Sequence, residues 1–344
     1  MINKKNSNIP RLIEDEIISE SIKINNYANA AERLLKLQLQ KWDQLAAGYK
    51  SLSSVKTKTF WFDGIKILLQ FNPGRIKSTS AKTDDDSVSK RKCFLCIENL
   101  PEEQKGIEIR GKYLILCNPF PIFPEHFTIA SQEHEPQNIH SSFEDFISIT
   151  QLLAGKYSAI YNGPKCGASA PDHLHFQAGT KNFMPVENEF HYLKNEYGEI
   201  LTDKSSLKIS AIDDKLRKFI TIESKDGKIL CEAFQIFYDI YSSFNSTNEE
   251  PLMNLTGTFN DTEGWKIIIF LRKKHRSSHY FLEGEKRIMI SPASVDLGGV
   301  CITPVEKDFN EVNEKTIAEI FSEVSLFQEG FVYIKSALKK YFVG

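Results

Sequence analysis

Between Gly163 and Gln177 the chain passes through a turn of small residues, Gly163-Pro-Lys-Cys-Gly-Ala-Ser-Ala-Pro-Asp172, into His173-Leu-His-Phe-Gln177. Polar and apolar residues alternate there with period two, the pattern of a strand with one face in a core and the other open. On that reading His173, His175 and Gln177 share a face, while Leu174 and Phe176 point into apolar packing. Two imidazoles and an amide on one open face suit chemistry better than packing, so the rest of the chain has to build a sheet that presents this strand. The plain alternative is a surface strand whose histidines only form hydrogen bonds.

The flanking sequence supplies such a sheet. Ala30 to Leu45 carries apolar residues at helical spacing and predicts a helix, whereas residues 1 to about 25 carry no strong signal. Thr57 to Phe62 and Ile65 to Phe71 flank Asp63-Gly64, a dipeptide suited to the positive φ angles of a tight hairpin. Asn72-Pro-Gly-Arg75 ends the second strand, and Lys77 to Lys92 reads as a charged, serine-rich loop. Tyr113 to Asn118 and His126 to Ala130 read as buried strands joined by a proline-stiffened crossing. Ser141-Ser-Phe-Glu144 offers a capping box for a helix to about Tyr157, leading straight into Tyr161-Asn-Gly163. Beyond residue 200 the outline recurs: a hairpin around Asp226-Gly227, a helix near Phe234 to Ser243, a strand from Trp265 to Leu271, short strands at Arg287 to Ile290 and Gly299 to Thr303, and helix from about Val312.

Charge narrows the function. With 43 basic against 45 acidic residues the chain lacks a broad electrostatic footprint for nucleic acid or an anionic membrane. No apolar run reaches the roughly 20 residues of a membrane span, and Met1-Ile-Asn-Lys-Lys opens onto polar sequence rather than a signal peptide, so the expected location is the cytoplasm. Six cysteines in 344 residues are too few for a disulfide scaffold, and the pair Cys93-Phe-Leu-Cys96 points to metal binding, with a redox pair as the rival. At a strand end, Arg272, Lys274 and Arg276 could hold phosphates; a solvated basic loop is the alternative.

The turn and strand resemble the histidine-triad superfamily, in the transferase branch whose third histidine is replaced by glutamine. Gly167-Ala-Ser-Ala-Pro171 is similar to the turn of galactose-1-phosphate uridylyltransferases and dinucleoside tetraphosphate phosphorylases, although Asp172 is an additional residue relative to both. His173-Leu-His-Phe-Gln-Ala178 is most similar to the GDP-hexose phosphorylases. So are Ile290-Ser-Pro-Ala-Ser294 and Gly298-Gly-Val-Cys-Ile-Thr-Pro304 in the second half. The resemblance runs loosely from about residue 30 to the end. It implies an α+β fold of mostly antiparallel sheets with flanking helices, in two histidine-triad-like halves at 51–200 and 201–344 behind an N-terminal helical region, 1–50.

Within that resemblance His175 is the expected nucleophile, since a neutral imidazole can attack a nucleotide's α-phosphorus and form a phosphoramidate that a second acceptor opens. Gln177 can donate to a phosphoryl oxygen yet carries no titrating proton, which favours transfer over hydrolysis. Gly167 and Ser169 match the phosphate-binding turn, Arg75 matches an Asn-Gly-Arg strand end, and Asn118 falls in the region that holds base and ribose. Cys93, Cys96, His134 and His173 form a donor set for tetrahedral zinc, and their spacing resembles that of zinc-bearing relatives, a set the GDP-hexose phosphorylases usually lack. Such a closed site would be structural. His126 is the poorer ligand, expected to face nucleotide or solvent. The expected activity is nucleotidyl transfer or phosphorolysis, with a GDP-hexose, a dinucleoside polyphosphate or a hexose 1-phosphate uridylyl system as the alternatives. A zinc-stabilised nucleotide-binding module without turnover is the reading outside enzymes. Expected partners are the nucleotide substrate, inorganic phosphate or a sugar phosphate, and a second copy of the chain in a homodimer.

Overall fold

The structure is a computed structural model that describes residues 11–80, 85–245 and 249–343. The first residues of the chain, Met1-Ile-Asn-Lys-Lys among them, and 81–84 of the expected charged loop lie outside the described residues.

Thirteen strands are described, and they fall into two sheets. They are β1 Lys56–Phe62, β2 Ile65–Phe71, β3 Gly106–Ile109, β4 Tyr113–Cys117, β5 His126–Ser131, β6 Tyr157–Asn162 and β7 His175–Thr180. The second half adds β8 Gly198–Lys204, β9 Leu207–Asp213, β10 Lys218–Ser224, β11 Met253–Asn260, β12 Gly264–Leu271 and β13 Val300–Thr303. Ten strands form one antiparallel sheet in the order β3-β4-β5-β7-β6-β11-β12-β10-β9-β8. Counted outward from the β6–β11 seam, the halves have the same order. Each also places a helix between corresponding strands: Ile139–Leu152 between β5 and β6, and Gly227–Asn245 between β10 and β11. The fold is α+β with two halves of one plan.

Alternation along the strands sends side chains to opposite faces of this sheet. Ile267 and Ile269 enter a core built with the helices Tyr27–Lys41, Ile139–Leu152, Gly227–Asn245 and Gln328–Val343. Ile268 and Phe270 enter a second core beneath the smaller sheet β1-β2-β13. Each such side chain contributes about 1.5–3 kcal/mol of hydrophobic stabilisation. Leu114, Leu116 and Ala130 form a third, smaller cluster with Cys93, Leu95 and Leu100. The open ground between the second and third clusters is the floor on which β7 presents its polar residues.

Several expectations change. Asp63 (φ 46°) and Gly64 (φ 87°) do turn the β1–β2 hairpin. Asp226-Gly227, by contrast, starts a helix: the Asp226 carboxylate accepts the N–H groups of Lys228 and Ile229, so an N-cap takes the place of a turn. Arg287 to Ile290 forms no strand: the Ile290 N–H turns back to the Ile288 carbonyl at 3.0 Å. The helix expected at Ser141 begins at Ile139, capped by Asn138, and ends at Leu152, so β6 intervenes before Gly163. The helix expected over Ala30 to Leu45 breaks at Trp42, which is extended (φ −131°, ψ 98°) between Tyr27–Lys41 and Asp43–Leu52. Glu16–Lys23 forms a helix where no signal was read, and Ile76–Thr79 and Asp85–Ser89 put short helical turns in the charged loop.

Candidate functional site

β7 begins at His175, so His173 sits in the preceding turn and does not share a regular strand face with His175 and Gln177. The three diverge in use. Leu174 and Phe176 enter the main core as the alternation requires. His175 and Gln177 instead line a cavity of about 600 Å³ whose other walls include Trp42, Phe94, Leu116, Asn118 and Phe120.

His175 Nδ1 donates to the carbonyl of His173 at 2.8 Å, which leaves Nε2 as the ring nitrogen with a lone pair for the cavity. Burial pulls its pKa down to about 4, against the opposing pull of that carbonyl, so the ring is neutral. Beside it, Gln177 is held by a residue that the sequence reading placed elsewhere. His126 is fully buried, away from solvent, and lines neither this cavity nor the smaller one adjoining it. Its Nδ1 accepts the Ile122 N–H at 3.2 Å, and its Nε2 lies 2.9 Å from Gln177 Oε1. Burial, aided by the charge of Arg75, lowers the His126 pKa to about 3, so the ring is neutral with its proton on Nε2, where it donates to Gln177. Gln177 is thereby oriented with its NH₂ as the free end.

A smaller cavity of about 60 Å³ adjoins the first, sharing Arg75, Ser78, Ser169 and Gln177 with it. Gly167, His275, Arg276, Ser291 and Asp296 are among its other walls. Gly167 has φ +99°, and a Cβ on it would lie 2.7 Å from Ala293, so only glycine lets the turn approach the second half this closely. Arg75 donates Nη1 to the Phe120 carbonyl at 2.8 Å, while its buried Nε meets no acceptor among the described residues. Burial lowers its pKa to about 10, against the pull of Asp296, and the group stays cationic. Arg276 Nε donates to Ser291 Oγ at 2.8 Å, and the guanidinium lies 4.1 Å from the Tyr280 ring centre. Arg75 and Arg276 share this small space with the hydroxyl residues Ser78, Ser169 and Ser291 and with the turn at Gly167, an arrangement chemically able to hold an anion.

Arg272 and Lys274 do not belong to it. Arg272 is 1% exposed and spends its guanidinium on Asn254 Oδ1 and on the carbonyls of Pro292, Lys274, His275 and Val324. Asn254 in turn donates to Asn162 Oδ1 and to the Cys166 carbonyl, so Arg272 buttresses the turn from beneath. Lys274 is ion-paired with Glu323. Their places at the end of β12, one buried and one turned to a carboxylate, take both away from the cavity. Asn118 does line the larger cavity, its Oδ1 accepting the Phe120 N–H at 2.9 Å. The additional residue Asp172 is accommodated by an ion pair with Arg91 at 2.8 Å.

Cys93, Cys96, His134 and His173 converge, their four donor atoms lying within 4.8 Å of one another. Cys93 Sγ is 3.3 Å from His173 Nδ1, and Cys96 Sγ is 3.1 Å from His134 Nδ1. A tetrahedral ion with bonds of about 2.0–2.3 Å needs ligand separations of roughly 3.5 Å, so the set fits such a metal. His173 Nε2 donates its proton to the Ser131 carbonyl at 2.8 Å, which leaves Nδ1 free to ligate. Burial raises the Cys93 pKa, but His173 and two backbone N–H groups outweigh it and bring the thiol down to about 7, toward the ligating thiolate.

Asn162, His275, Ser291 and Asp296 were missed from the sequence, and His126 was named but not as the partner of Gln177. Asn162 and Ser291 carried a signal, since one abuts Gly163 and the other lies in Ile290-Ser-Pro-Ala-Ser294; His275, Asp296 and the role of His126 are brought in only by tertiary packing.

Comparison with known proteins agrees with this geometry. Residues 34–180 match a domain family described as a domain of unknown function, DUF4922, and residues 192–342 match one described as the GDPGP1-like C-terminal domain. Over 304 residues the chain is 23% identical to diadenosine 5',5'''-P1,P4-tetraphosphate phosphorylase 2 of Saccharomyces cerevisiae, covering 82% of this chain and 87% of that protein. A stretch of 124 residues is 32% identical to the galactose-1-phosphate uridylyltransferase of Clostridium acetobutylicum, covering 30% of this chain and 25% of the relative. The crystal structure of yeast Ap4A phosphorylase in complex with AMP shares the fold, with a TM-score of 0.54 at 16% identity over 85% of this chain and 96% of that one. Together with the His-x-His-x-Gln strand, these similarities support a nucleotidyltransferase of the histidine-triad superfamily.

Proposed function

We propose that the protein is a phosphorylase that cleaves a nucleotide sugar or dinucleoside polyphosphate through a nucleotidyl-His175 intermediate, with a GDP-hexose as the first substrate to try. The observation that carries this is the neutral His175, its Nε2 open to a large cavity that shares a wall with a small anion site. The base and ribose occupy the apolar cavity by Phe94, Leu116 and Asn118. His175 Nε2 attacks the α-phosphorus, a P–N bond forms, and the bond to the leaving phosphate breaks with its electron pair on that phosphate. An oxygen of the acceptor phosphate then forms the new P–O bond as the P–N bond breaks. Gln177, Ser169 and the turn at Gly167 hold the phosphoryl oxygens in both steps. Arg75 and Arg276 hold the leaving phosphate and later the acceptor in the same small cavity.

In this reading Cys93, Cys96, His134 and His173 hold a zinc ion that fixes the turn ahead of His175, and residues 51–200 act as the catalytic half with 201–344 closing the anion site. The description of the second-half domain family and the name of the yeast relative support phosphate as acceptor. The six cysteines, all free, fit a cytoplasmic protein, and no described helix is long and apolar enough to cross a membrane.

The test is incubation with a panel of radiolabelled nucleotides, followed by a search for acid-labile, base-stable label on the protein. Label in the wild type and none in His175→Ala is the expected result; more than a few percent of turnover in His175→Ala would remove the covalent mechanism. With saturating donor, initial rates against phosphate, hexose 1-phosphate and ATP then assign the acceptor. A rate that ignores phosphate and rises only with hexose 1-phosphate would make this a uridylyltransferase-like enzyme.

A further inference from the structure

β6 and β7 pair from Tyr157↔Thr180 to Ile160↔Gln177, and the same register would bring Tyr161 opposite Phe176 and then Asn162 opposite His175. That rung is not made between the strands. The side-chain amide of Gln137 stands in its place. Gln137 is 3% exposed; its Oε1 accepts the His175 N–H at 2.8 Å, and its Nε2 donates to the carbonyls of His175 at 3.0 Å and Asn162 at 2.9 Å. The backbone N–H of Gln137 also donates to the Pro171 carbonyl at 3.0 Å. One residue therefore grips the start of the small-residue turn, its far end, and both backbone polar groups of His175. On its other edge His175 still pairs with Ala130 of β5, so β7 is held firmly while β6 is levered away. The gap so opened is where the turn carrying Gly167 and Ser169 departs from the sheet and reaches the cavity wall.

We propose that Gln137 is a positioning residue for nucleotidyl transfer: by replacing one rung of the β6–β7 ladder with its side chain, it sets the separation between the His175 nucleophile and the phosphate-holding turn. The inference rests on His175 being the nucleophile. An amide is the side chain that suits the role, because it has one acceptor for the His175 N–H and two N–H donors for the two carbonyls. An apolar isostere would leave three buried backbone groups unpaired, and the strands would close or slip to satisfy them. Displacing a nucleophile by as little as 1 Å can slow a reaction about a hundredfold without a change in the groups that bind substrate.

The experiment compares wild type, Gln137→Met and Gln137→Glu in single-turnover labelling and in equilibrium nucleotide binding. Gln137→Met is expected to take label about a hundredfold more slowly while its nucleotide Kd stays within about twofold. Gln137→Glu covers the case in which Gln137→Met does not fold. Its carboxylate opposes two carbonyls at neutral pH, whereas the protonated acid offers one donor and one acceptor, so its rate relative to wild type should rise as pH falls. A purely structural residue would lower the melting temperature and leave the labelling rate of the folded protein and its pH profile unchanged; that result, or a loss of affinity as large as the loss of rate, overturns the proposal. Wild type that takes no label while still turning over would instead remove the nucleotidyl-histidine itself, and the role of Gln137 with it.

Discussion

The neutral state of His175 has a consequence for pH. Because burial holds its pKa near 4, the nucleophile stays unprotonated well below the range where a solvated imidazole would be charged. The single-turnover labelling rate should be flat from pH 8 to about 5 and fall about tenfold per unit only below about 4; a drop centred near 6.5 would mean that the ring is solvated. The two arginines at residues 272 and 276 separate binding from stability. Arg276→Ala should raise the KM for phosphate far more than that for the nucleotide, since one charge-assisted contact is worth about 1.5–3 kcal/mol. Arg272→Ala should cost about 3 kcal/mol or more of stability, read in a denaturant melt, because it strips partners from Asn254 and four carbonyls in the interior. Sequence placed both in one basic cluster and could not tell them apart. What separates them is that β12 ends at Leu271, sending Arg272 under the turn and Arg276 to the cavity wall.

Among elements, the segment Cys93–Cys96 bears the metal prediction. Cys93→Ser or His134→Ala should remove about one zinc per chain and lower the melting temperature, as metal binding to a structural site is coupled to folding. Unchanged melting after complete removal of zinc would show that the four donors meet for another reason. This cluster was legible from residue types, from spacing and from the resemblance to zinc-bearing relatives, because two thiols and two imidazoles make a tetrahedral donor set. The β1–β2 hairpin was legible for a similar reason: Asp63-Gly64 meets a local backbone demand that no distant contact has to supply. Asp226-Gly227 is the same dipeptide with a different outcome. Its aspartate caps the helix Gly227–Asn245, whose apolar face packs in the main core, and that tertiary gain decided between turn and cap. The run Arg287 to Ile290 failed as a strand because propensity alone says nothing about whether a partner edge is at hand.

At the scale of the molecule, six buried titratable groups set the acid response. His126 and His275 (both about 3) and His175 (about 4) are held neutral, so each contributes stability that is complete above the unfolded value of 6.5 and is lost as pH falls toward the folded one. Glu187 and Glu250 (both about 7) and Asp296 (about 6) are raised by burial, and each loses stability as pH rises through the same range. Between about pH 4.5 and 6 the two sets offset each other. Below about 4 the carboxyls are protonated in both states and His175 takes up its proton in the folded state too, while the unfolded chain still binds two more protons on the imidazoles of His126 and His275. The melting temperature should therefore be nearly level from pH 6 to 5 and collapse below 4; a steady decline beginning at 6.5 would contradict the pairing. The similar plan of the halves was visible in sequence as a loose recurrence, but their continuity was not, because the β6–β11 seam joins strands about ninety residues apart. The smaller sheet has a consequence for synthesis. β2 pairs with β1 on one edge and, in parallel, with β13 on the other, yet β13 is made some 230 residues after β2. At about 5–20 residues per second the ribosome leaves that edge, with Ile65, Ile67 and Leu69 along the strand, unpaired for roughly 10–50 s. A nascent chain is then exposed to edge-to-edge aggregation for most of its translation, and slowing elongation between residues 71 and 300 should lower the yield of folded protein more than slowing it after 303.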